Sequence, residues 1–379
     1  MNEVYVIGAD LIKFGRYPDK NCAQLGAEAA LLALDDAGLT IKDVNAVYCS
    51  SLFNAMGLMG QQVLKQIGMT GVPVVNVANA CASGATAFRE AFAGIRAGLA
   101  DVALVVGVEQ NPKGMMEMGT TFGPNPEGIM GSGTMPAVFA EAGMAHAAKY
   151  GTTFEQFAKV SVKNHHHSTM NPKSTYQIET PLEMVMGAEM IAYPNTKLMC
   201  SVNVDGAAAA VLISEKKARE LGVMGRAVRV RGSGLASDPY EVRHPVMFDA
   251  NSVTRVAAKQ AYEMAGVDPR DVNVVELHDC FATAELLHYE NLGLCGEGEA
   301  GPFIDSGATT LGGRVPVNVS GGLLSKGHPI GATGVANICE IVFHLRGEAG
   351  TRQVEGARIG LAHVLGFGAA AGVHILEKV

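Results

Sequence analysis

The chain has 379 residues, which is long enough for two or more domains. Of these residues 48% are hydrophobic, 46 are glycine and only 6% are aromatic, so we expect a core packed from small side chains. The 29 lysines and arginines and 37 aspartates and glutamates give a net charge of -8, and without a basic run we expect no nucleic-acid partner. Because no apolar run could cross a bilayer, and neither end reads as a signal peptide or a peroxisomal address, we expect no membrane association and a cytoplasmic location.

The cysteine pattern favours a reducing compartment. The seven cysteines are an odd number, and no two of them form a C-x-x-C pair. This spacing argues against a disulfide scaffold and against a structural zinc site, so we expect no metal. The cysteines stand at positions 22, 49, 81, 200, 280, 295 and 339.

The first part of the chain alternates short β-branched runs with alanine-rich runs. The runs predict strands at 3–8, 46–49, 74–77 and 102–108 and a helix at 23–37 that ends at Gly38. The run at 74–77 has the composition of a buried strand. Strands that alternate with helices indicate an α/β fold.

An insertion at 111–200 breaks this alternation with many Met, Pro, Gly and His residues. A helix is predicted at 153–164, closed by His165, His166 and His167. Adjacent residues of a helix do not share a face, so we expect these histidines to cap the helix end and line a surface, not to bind a metal. The methionines of the insertion fit an adaptable pocket as well as core or dimer contacts. They include Met115, Met116, Met118, Met130, Met135 and Met144.

The second part of the chain repeats the first. A strand at 206–213 and a linker at 220–225 separate them, and three segments then recur in the same order. The repeated pairs are 37–47 with 265–275, 75–77 with 317–319, and 206–213 with 368–375. We therefore predict two homologous halves, 1–222, which contains the insertion 111–200, and 223–379.

Cys81 follows the strand at 74–77 and begins a helix whose first turns carry only small residues. A helix N-terminus favours negative charge, so a thiol there is predicted to ionise more easily and to act as a nucleophile. The alternative is a small buried hydrophobic residue.

Sites in open α/β sheets gather at the carboxyl ends of strands, so the Cys81 loop should meet its repeat counterpart at 318–334. That loop holds His328 between Gly327 and Pro329. His328 is a candidate base for the Cys81 thiol, and the alternative is a structural hydrogen-bonding histidine.

Two further loops complete this constellation. His278 and Cys280 lie between a predicted strand at 272–277 and a predicted helix at 284–291. They suit an oxyanion donor and a second acid/base thiol, or else a polar turn with a buried thiol. The glycines of 362–368 could offer backbone N–H donors to a carbonyl oxygen, or could serve close packing against the cysteine helix.

These motifs resemble, in order, the site motifs of thiolases. They read Cys81-Ala82-Ser83-Gly84, His278-Asp279-Cys280-Phe281 and Gly327-His328-Pro329. Two further segments, 163–172 and 204–208, look like loop-domain signatures of the same family, so the likeness covers essentially the whole chain. The resemblance implies an α/β fold, duplicated and arranged in five αβαβα layers, with a loop domain at 111–200 that holds coenzyme A. It also implies a homodimer or homotetramer. The implied substrates are coenzyme A thioesters, and no further cofactor is implied.

The resemblance also implies roles for single residues. Cys81 looks like the thiolate that takes the acyl group, and His328 like its activator and a donor to the enolate oxygen, which His278 would also bind. The backbone N–H groups of Cys81 and Gly366 look like a second oxyanion hole. The substrate-binding positions that it implies are Ser237, Gly327 and Gly366.

The chain departs from most thiolases at one point. Val364 stands where they carry the cysteine of a C-x-G motif, and H-D-C-F at 278–281 replaces N-E-A-F. This pattern is similar to that of the sterol-carrier-protein type of thiolase, in a stand-alone form without the sterol-carrier domain. In that subgroup Cys280 takes over as the proton shuttle.

Three other functions stay open. Relatives of this subgroup include acyltransferase subunits that work with a small zinc-ribbon and OB-fold partner. They also include retro-aldolases of steroid side chains, against which the presence of Cys81 counts. The missing C-x-G cysteine would also suit an inactive protein that binds lipid or acyl-CoA.

Overall fold

The computed structural model describes residues 2–114, 134–240, 251–367 and 370–379. Its strands are β1 (Val4–Leu11), β2 (Ala46–Ser50), β3 (Val74–Val77), β4 (Val102–Glu109), β5 (Met190–Ala192), β6 (Asn195–Thr196), β7 (Gly206–Ser214), β8 (Val228–Ser237), β9 (Val274–Glu276), β10 (Ile359–Gly366) and β11 (Ala370–Lys378). Its α-helices are α1 (Cys22–Ala37), α2 (Met59–Ile67), α3 (Ser83–Arg96), α4 (Met135–Tyr150), α5 (Phe154–Thr169), α6 (Leu182–Gly187), α7 (Glu215–Leu221), α8 (Ser252–Ala265), α9 (Ala282–Asn291), α10 (Ala300–Asp305), α11 (Gly322–Ser325) and α12 (Ile330–Arg346).

The strand order shows the duplication directly. Nine strands form one sheet in the order β3-β2-β4-β7-β1-β8-β11-β10-β9, in which β1 and β8 join the halves through only two residue pairs. Within each half the outer pairings are parallel and the inner ones antiparallel. A parallel bridge from Val317 to Val275 occupies the place that β3 takes beside β2. The predicted repeat is therefore visible in the pairing, while the domain boundaries stay a prediction.

Five layers follow from the packing. Helices α3 and α12 contact each other and share one core with inward-facing residues of both halves of the sheet, such as Val105 and Val230. Helix α1 covers the outer face of the first half, and α8 covers that of the second. The predicted α/β, αβαβα arrangement of a duplicated fold is confirmed.

The central helices approach each other closely because small residues line their contact. A Cβ atom on Gly334 would lie 2.3 Å from the backbone nitrogen of Ala85, and one on Gly84 would lie 2.9 Å from that of Val335. Neither position could carry a side chain without backbone movement. The small residues that follow Cys81 thus allow α3 to lie in the interior, as the sequence predicts.

The histidines at 165–167 do not lie beyond the helix end and on the surface, as the sequence predicts. Helix α5 continues to Thr169, so the three histidines lie inside the helix and do not close it. His165 and His167 are buried and only His166 is exposed. His167 accepts from the backbone N–H of Leu311 at 3.0 Å and bonds the Asn318 carbonyl at 3.1 Å. The prediction of surface-lining histidines is therefore wrong for two of the three, which serve packing of the insertion.

Strand β3 is not buried in the single chain. It lies at the edge of the sheet, and Val75 is 44% exposed. The β-branched composition predicted the strand correctly but not its environment. In the insertion, the described elements are α4, α5, α6 and the β5-β6 hairpin, while Met115, Met116, Met118 and Met130 lie outside the described residues.

Candidate active site

Cys81 lies in a tight turn between β3 and α3. Its neighbour Ala80 has a positive φ of 47°, a conformation that non-glycine residues rarely adopt. The Ser83 hydroxyl donates to the Ala80 carbonyl at 2.6 Å and accepts from the Asn79 N–H at 2.8 Å, which holds the turn closed. The turn leaves Cys81 only 8% exposed, two residues before the helix begins at Ser83.

Three of the predicted site residues meet at this point. One ligand-capable atom from each of Cys81, His278 and His328 lies within 4.8 Å of the others. The imidazole rings of His278 and His328 are 5.2 Å apart between centroids and meet edge to face at 75°. The three loops predicted to converge at the carboxyl ends of the strands therefore do so, although the roles of these residues stay a prediction.

The hydrogen bonds around His328 fix its tautomer. Its Nδ1 lies 2.7 Å from the Thr333 hydroxyl, and that hydroxyl donates its only hydrogen to the Pro329 carbonyl at 3.0 Å. Thr333 can therefore only accept from Nδ1, so we assign the ring proton to Nδ1. Nε2 is left with a free lone pair, and it is buried without a hydrogen-bond partner. A base with this tautomer is ready to take a proton from a neighbouring thiol.

We expect Thr333→Val to lower the rate of Cys81 acylation by about 10- to 100-fold, the usual range for loss of a partner that orients a functional histidine. Valine keeps the shape of threonine but cannot accept from Nδ1. Stopped-flow acylation over a range of pH measures the effect, with the melting temperature as a check on folding. Thr333→Ser should restore the rate, and a wild-type rate in Thr333→Val at every pH would refute the assigned tautomer.

The main chain of His328 is held from two sides. Its N–H donates to the Val202 carbonyl at 2.9 Å, and the Asn111 side chain donates to its carbonyl at 2.7 Å. Asn111 follows β4 and Val202 precedes β7, so both contacts come from the junctions of the insertion with the first half. The insertion thus positions a residue of the second half.

Glu109 ties the loops together beneath the site. Its carboxylate is fully buried at the end of β4 and accepts from the Leu52 N–H at 2.6 Å and the Gly331 N–H at 3.2 Å. The Ser51 hydroxyl donates to it as well, at 2.9 Å. Gly331 lies three residues after His328, so one carboxylate links β4, the loop after β2 and the start of α12. Sequence reasoning missed Glu109, although an acidic residue directly after the apolar run at 102–108 was a visible signal.

We expect Glu109→Gln to lower the free energy of unfolding by about 2–4 kcal/mol, because the amide group would face N–H donors in a buried place. Urea denaturation followed by circular dichroism measures the change. Glu263→Gln, at a side chain that is 67% exposed, is the matched control and should shift stability by less than about 0.5 kcal/mol. Equal midpoints for the two variants would show that the carboxylate does not hold these loops together.

Buried polar contacts fix the loop that carries His278 and Cys280. The Asp279 carboxylate accepts from the Leu323 N–H at 2.7 Å and from the Asn164 amide at 2.8 Å. Gly322 makes the first contact possible, because a Cβ there would lie 2.1 Å from Asp279 Oδ2. The loop is therefore joined to α11 and to the insertion helix α5 at once. The sequence did not predict that Asp279, Asn164 and Gly322 together hold this loop in place.

Burial sets the charge state of the pair. Desolvation raises the pKa of the Cys81 thiol to about 12, although the backbone N–H groups of Phe367 and Cys81 itself hold it down. Desolvation also lowers the pKa of His328 to about 3. The prediction that the helix terminus makes this thiol easy to ionise is therefore wrong for the unliganded site, because burial outweighs the helix dipole. The resting pair is a neutral thiol beside a neutral imidazole, so the thiol proton leaves as the thiol attacks.

Cys280, the second thiol of the site, is also buried. Burial raises the pKa of Cys280 well above its ordinary value, and the nearby Cys81 and Asp279 add to the shift. His278 is likewise neutral, because burial and the neighbouring His328 lower its pKa. A thiol that stays protonated at neutral pH suits a proton donor to carbon.

The residue that replaces the cysteine of the C-x-G motif also lies at the site. Val364 is buried in a small apolar cluster that contains Cys81, Ala82 and Ile330. An apolar side chain beside Cys81 offers no proton, so an acid at this site must come from another loop. Cys280 is the thiol whose charge couples to that of Cys81.

The other predicted residues lie around this centre. Gly366 packs against the Cys81 turn, because a Cβ there would lie 2.8 Å from the Asn79 carbonyl oxygen, and the N–H that bonds Cys81 sulfur comes from the next residue, Phe367. Gly327 has φ of +118° and precedes His328. Ser237 is exposed at the end of β8, opposite Ala370. Oxyanion and substrate roles for these residues stay predictions.

A cavity of about 300 Å³ extends from the catalytic loops to the insertion. It is lined by His328 and Phe281 of the catalytic loops, by Met135 and Cys200 of the insertion, and by Asn203. Its size and mainly apolar wall suit part of a small organic ligand. Among the residues that the structure describes, no helix is both long and apolar enough to cross a bilayer.

Comparison with known families agrees with this geometry. Residues 4–192 match the family described as "Thiolase, N-terminal domain", and residues 241–378 match "Thiolase C-terminal domain-like". The chain is 38% identical to sterol carrier protein 2 of Homo sapiens over 396 residues, which span 100% of this chain and 72% of that protein. The chain belongs to the thiolase family. Within the family it falls in the sterol-carrier-protein-2 type and is an acyltransferase.

Two further relatives match over nearly their full length. An acetyl-CoA acetyltransferase of Methanothermobacter thermautotrophicus is 36% identical, with 100% of both chains covered. The benzoylsuccinyl-CoA thiolase subunit BbsB of Thauera aromatica is 38% identical, with 97% of this chain and 96% of that protein covered. The solved structure of an Ltp2-ChsH2(DUF35) aldolase superposes with a TM-score of 0.85 at 24% identity, over 100% of this chain and 98% of that one, which shows the shared fold.

Proposed function

We propose that the chain catalyses the reversible thiolysis of 3-oxoacyl-CoA, with Cys81 as the acyl acceptor. The observation that carries this proposal is the convergence of Cys81, His278 and His328 within 4.8 Å. Cys280 is near enough to Cys81 that a charge on Cys81 raises the pKa of the Cys280 thiol. A nucleophile, a base with a free lone pair and a protonated thiol are the groups that carbon–carbon thiolysis needs.

In the first half-reaction, Cys81 sulfur attacks the 3-keto carbon while His328 Nε2 takes the thiol proton. The bond between carbons 2 and 3 then breaks. The enolate oxygen that results accepts hydrogen bonds from the protonated His328 and from His278. Cys280 gives its proton to carbon 2, which releases acetyl-CoA and leaves an acyl group on Cys81.

In the second half-reaction, the Cys280 thiolate takes the proton of an incoming coenzyme A thiol. The coenzyme A sulfur attacks the acyl group, and Cys81 leaves as a thiolate that recovers its proton from His328. Every proton is thus returned, and the net result is two shorter acyl-CoA molecules. Each donor to an oxyanion lowers the barrier by about 3 kcal/mol.

Coenzyme A would enter along the cavity between the insertion and the catalytic loops. The cavity touches His328 at one end and residues of the insertion at the other. No additional cofactor is needed, because thiols and imidazoles supply all the proton transfers. The residues that bind the nucleotide end of coenzyme A are not assigned.

The experiment that tests the proposed reaction is a thiolysis assay of the purified chain with acetoacetyl-CoA and coenzyme A. Chromatography should show acetyl-CoA forming at twice the rate at which acetoacetyl-CoA is lost. A second assay with longer 3-oxoacyl-CoA substrates defines the chain length. Binding of every substrate tested without any product would contradict an enzymatic role and favour a binding protein.

A second candidate is the same chemistry in a complex with a small zinc-ribbon and OB-fold protein. It is favoured by the relative that is named as a thiolase subunit and is 38% identical to this chain. Affinity purification from the native organism tests it. Activity that appears only with a co-purified small partner would support the complex, and full activity of the isolated chain would exclude a requirement for it.

We also propose a homodimer, or a homotetramer built from it, in a reducing cytoplasm. Among the described strands, β3 has no neighbour on its outer side, where Val75 is exposed, and such an edge suits pairing with a second copy. All seven cysteines are free, including those close together at the site, which suits a reducing compartment. Light scattering of the purified chain tests the assembly, and the mass of a single chain would contradict it.

A further inference from the structure

We propose that Cys81, His278 and His328 also form a site for a soft divalent cation such as Zn²⁺, and that occupation of this site blocks acyl transfer. Thiolate and neutral imidazole are the ligands that zinc prefers, and three protein ligands with one open position are typical of an accessible zinc site. Metal binding at this site does not depend on turnover of any substrate, whereas the block of acyl transfer rests on the proposed function.

The distances support this site. A ligand-capable atom of each residue lies within 4.8 Å of the other two. In a tetrahedral zinc site, bonds of about 2.0–2.3 Å place two donor atoms about 3.4–3.6 Å apart. Each pair of donor atoms must therefore approach by at most about 1.2–1.4 Å, which rotations about the side-chain bonds can supply.

Each of the two histidines has a buried nitrogen that is free to bind. His328 Nε2 and His278 Nδ1 are buried and have no hydrogen-bond partner, and the two residues are 4% and 1% exposed. An unpaired nitrogen in a buried place is costly, so a ligand that takes up its lone pair gains free energy. The other nitrogen of His328 already donates to Thr333, which is how metal-binding histidines are usually oriented.

The metal can also reach the site. The cavity of about 300 Å³ is lined by His328, so a hydrated ion can approach from the side on which substrate would enter. Binding replaces the S–H bond of Cys81 with an S–Zn bond and releases one proton to the solvent. Zinc then holds both the nucleophilic sulfur and the nitrogen that would accept its proton, so no acyl group can be transferred.

Titration of metal-free protein with Cd²⁺ and Zn²⁺ tests the site. Cd²⁺ should produce one ultraviolet thiolate-to-metal absorption band per chain that reaches its maximum at one equivalent, and one proton should be released per ion. Cys81→Ala should lose this band, and His328→Asn should weaken binding by at least about 10-fold. Cys295→Ser, a cysteine outside the cluster, should titrate like the wild type.

The outcomes are distinct. A full band in Cys81→Ala, or an unchanged affinity in His328→Asn, would overturn the metal site. Melting temperatures of the variants verify that they fold, and His278→Gln offers a second variant of the cluster with the same expected loss. Absence of metal binding in protein that still forms an acyl adduct would overturn this inference alone and leave the proposed thiolysis intact.

Discussion

Replacing Cys81 by alanine is expected to reduce acyl transfer by about 10⁴- to 10⁶-fold, the range seen when a catalytic nucleophile is removed. The reason is geometric, because among the described residues Cys81 is the thiol that shares a cluster with the free nitrogen of His328. Alanine differs by one buried sulfur atom, so the fold should persist. Steady-state thiolysis of acetoacetyl-CoA measures the loss.

Cys295→Ser is the control for this variant, since Cys295 is a free cysteine in the loop after α9, away from the cluster. It should keep wild-type activity and lose nothing beyond experimental error. If Cys81→Ala retained more than about 1% of the activity, another group would have to carry the acyl chain, and the proposed mechanism would be wrong.

Cys280→Ala is expected to separate the two halves of the reaction. The variant keeps Cys81, His328 and the neutral His278. In acylation by acetyl-CoA, His328 can pass the proton that it takes from Cys81 directly to the leaving coenzyme A sulfur, so the variant should still accept an acetyl group. It should lose carbon–carbon bond cleavage and formation by about 10²- to 10⁴-fold, because it lacks the thiol that exchanges a proton with carbon 2, while the protonated His328 donates to the enolate oxygen instead. The apolar Val364 at the alternative position cannot replace it.

Two assays on the same preparation reveal this separation. Exchange of labelled coenzyme A with acetyl-CoA reports acylation of Cys81, and condensation of acetyl-CoA reports bond formation. Normal exchange with lost condensation supports the shuttle. Normal condensation would assign the proton to a different group. Cys280→Ser, with a weaker acid in the same position, should fall between wild type and alanine.

The convergence of the site could be predicted from the sequence, because it follows from topology. Cys81 and His278 come just after β3 and β9, and His328 lies in the loop after the bridge at Val317, which is the second-half counterpart of β3. Two repeated halves bring such equivalent loops together at the carboxyl ends of their strands. The central helices were predictable for a similar reason. Runs of alanine and glycine permit helix contacts that larger residues exclude.

The electrostatics could not be predicted in the same way. The helix dipole at Cys81 is visible in the sequence, but the desolvation that raises its pKa to about 12 depends on how many neighbours surround the sulfur. Burial is also the reason why the environment of the α5 histidines could not be predicted. Whether His165 and His167 face solvent depends on where the second half packs, which involves residues such as Asn318 far along the chain.

The sequence also could not predict the hydrogen bonds between residues that are far apart in the chain. Glu109 and Gly331 are 222 positions apart in the chain, and Asn164 and Asp279 are 115 apart, yet both pairs are hydrogen-bonded. Local periodicity carries no information about such pairs. The edge position of β3 is similar, because its composition is that of a central strand and only the sheet order shows one side unpaired.

The most direct test of the central proposal is intact-mass spectrometry of the chain after mixing with acetyl-CoA. We expect one acetyl group per chain, which peptide mapping places on Cys81 and which coenzyme A removes. The Cys81→Ala protein should show no such adduct, and Cys280→Ala should show the same adduct as the wild type. A stable acetyl group on another residue, or none on protein that binds coenzyme A and turns over acetoacetyl-CoA, would contradict an acyl-Cys81 intermediate.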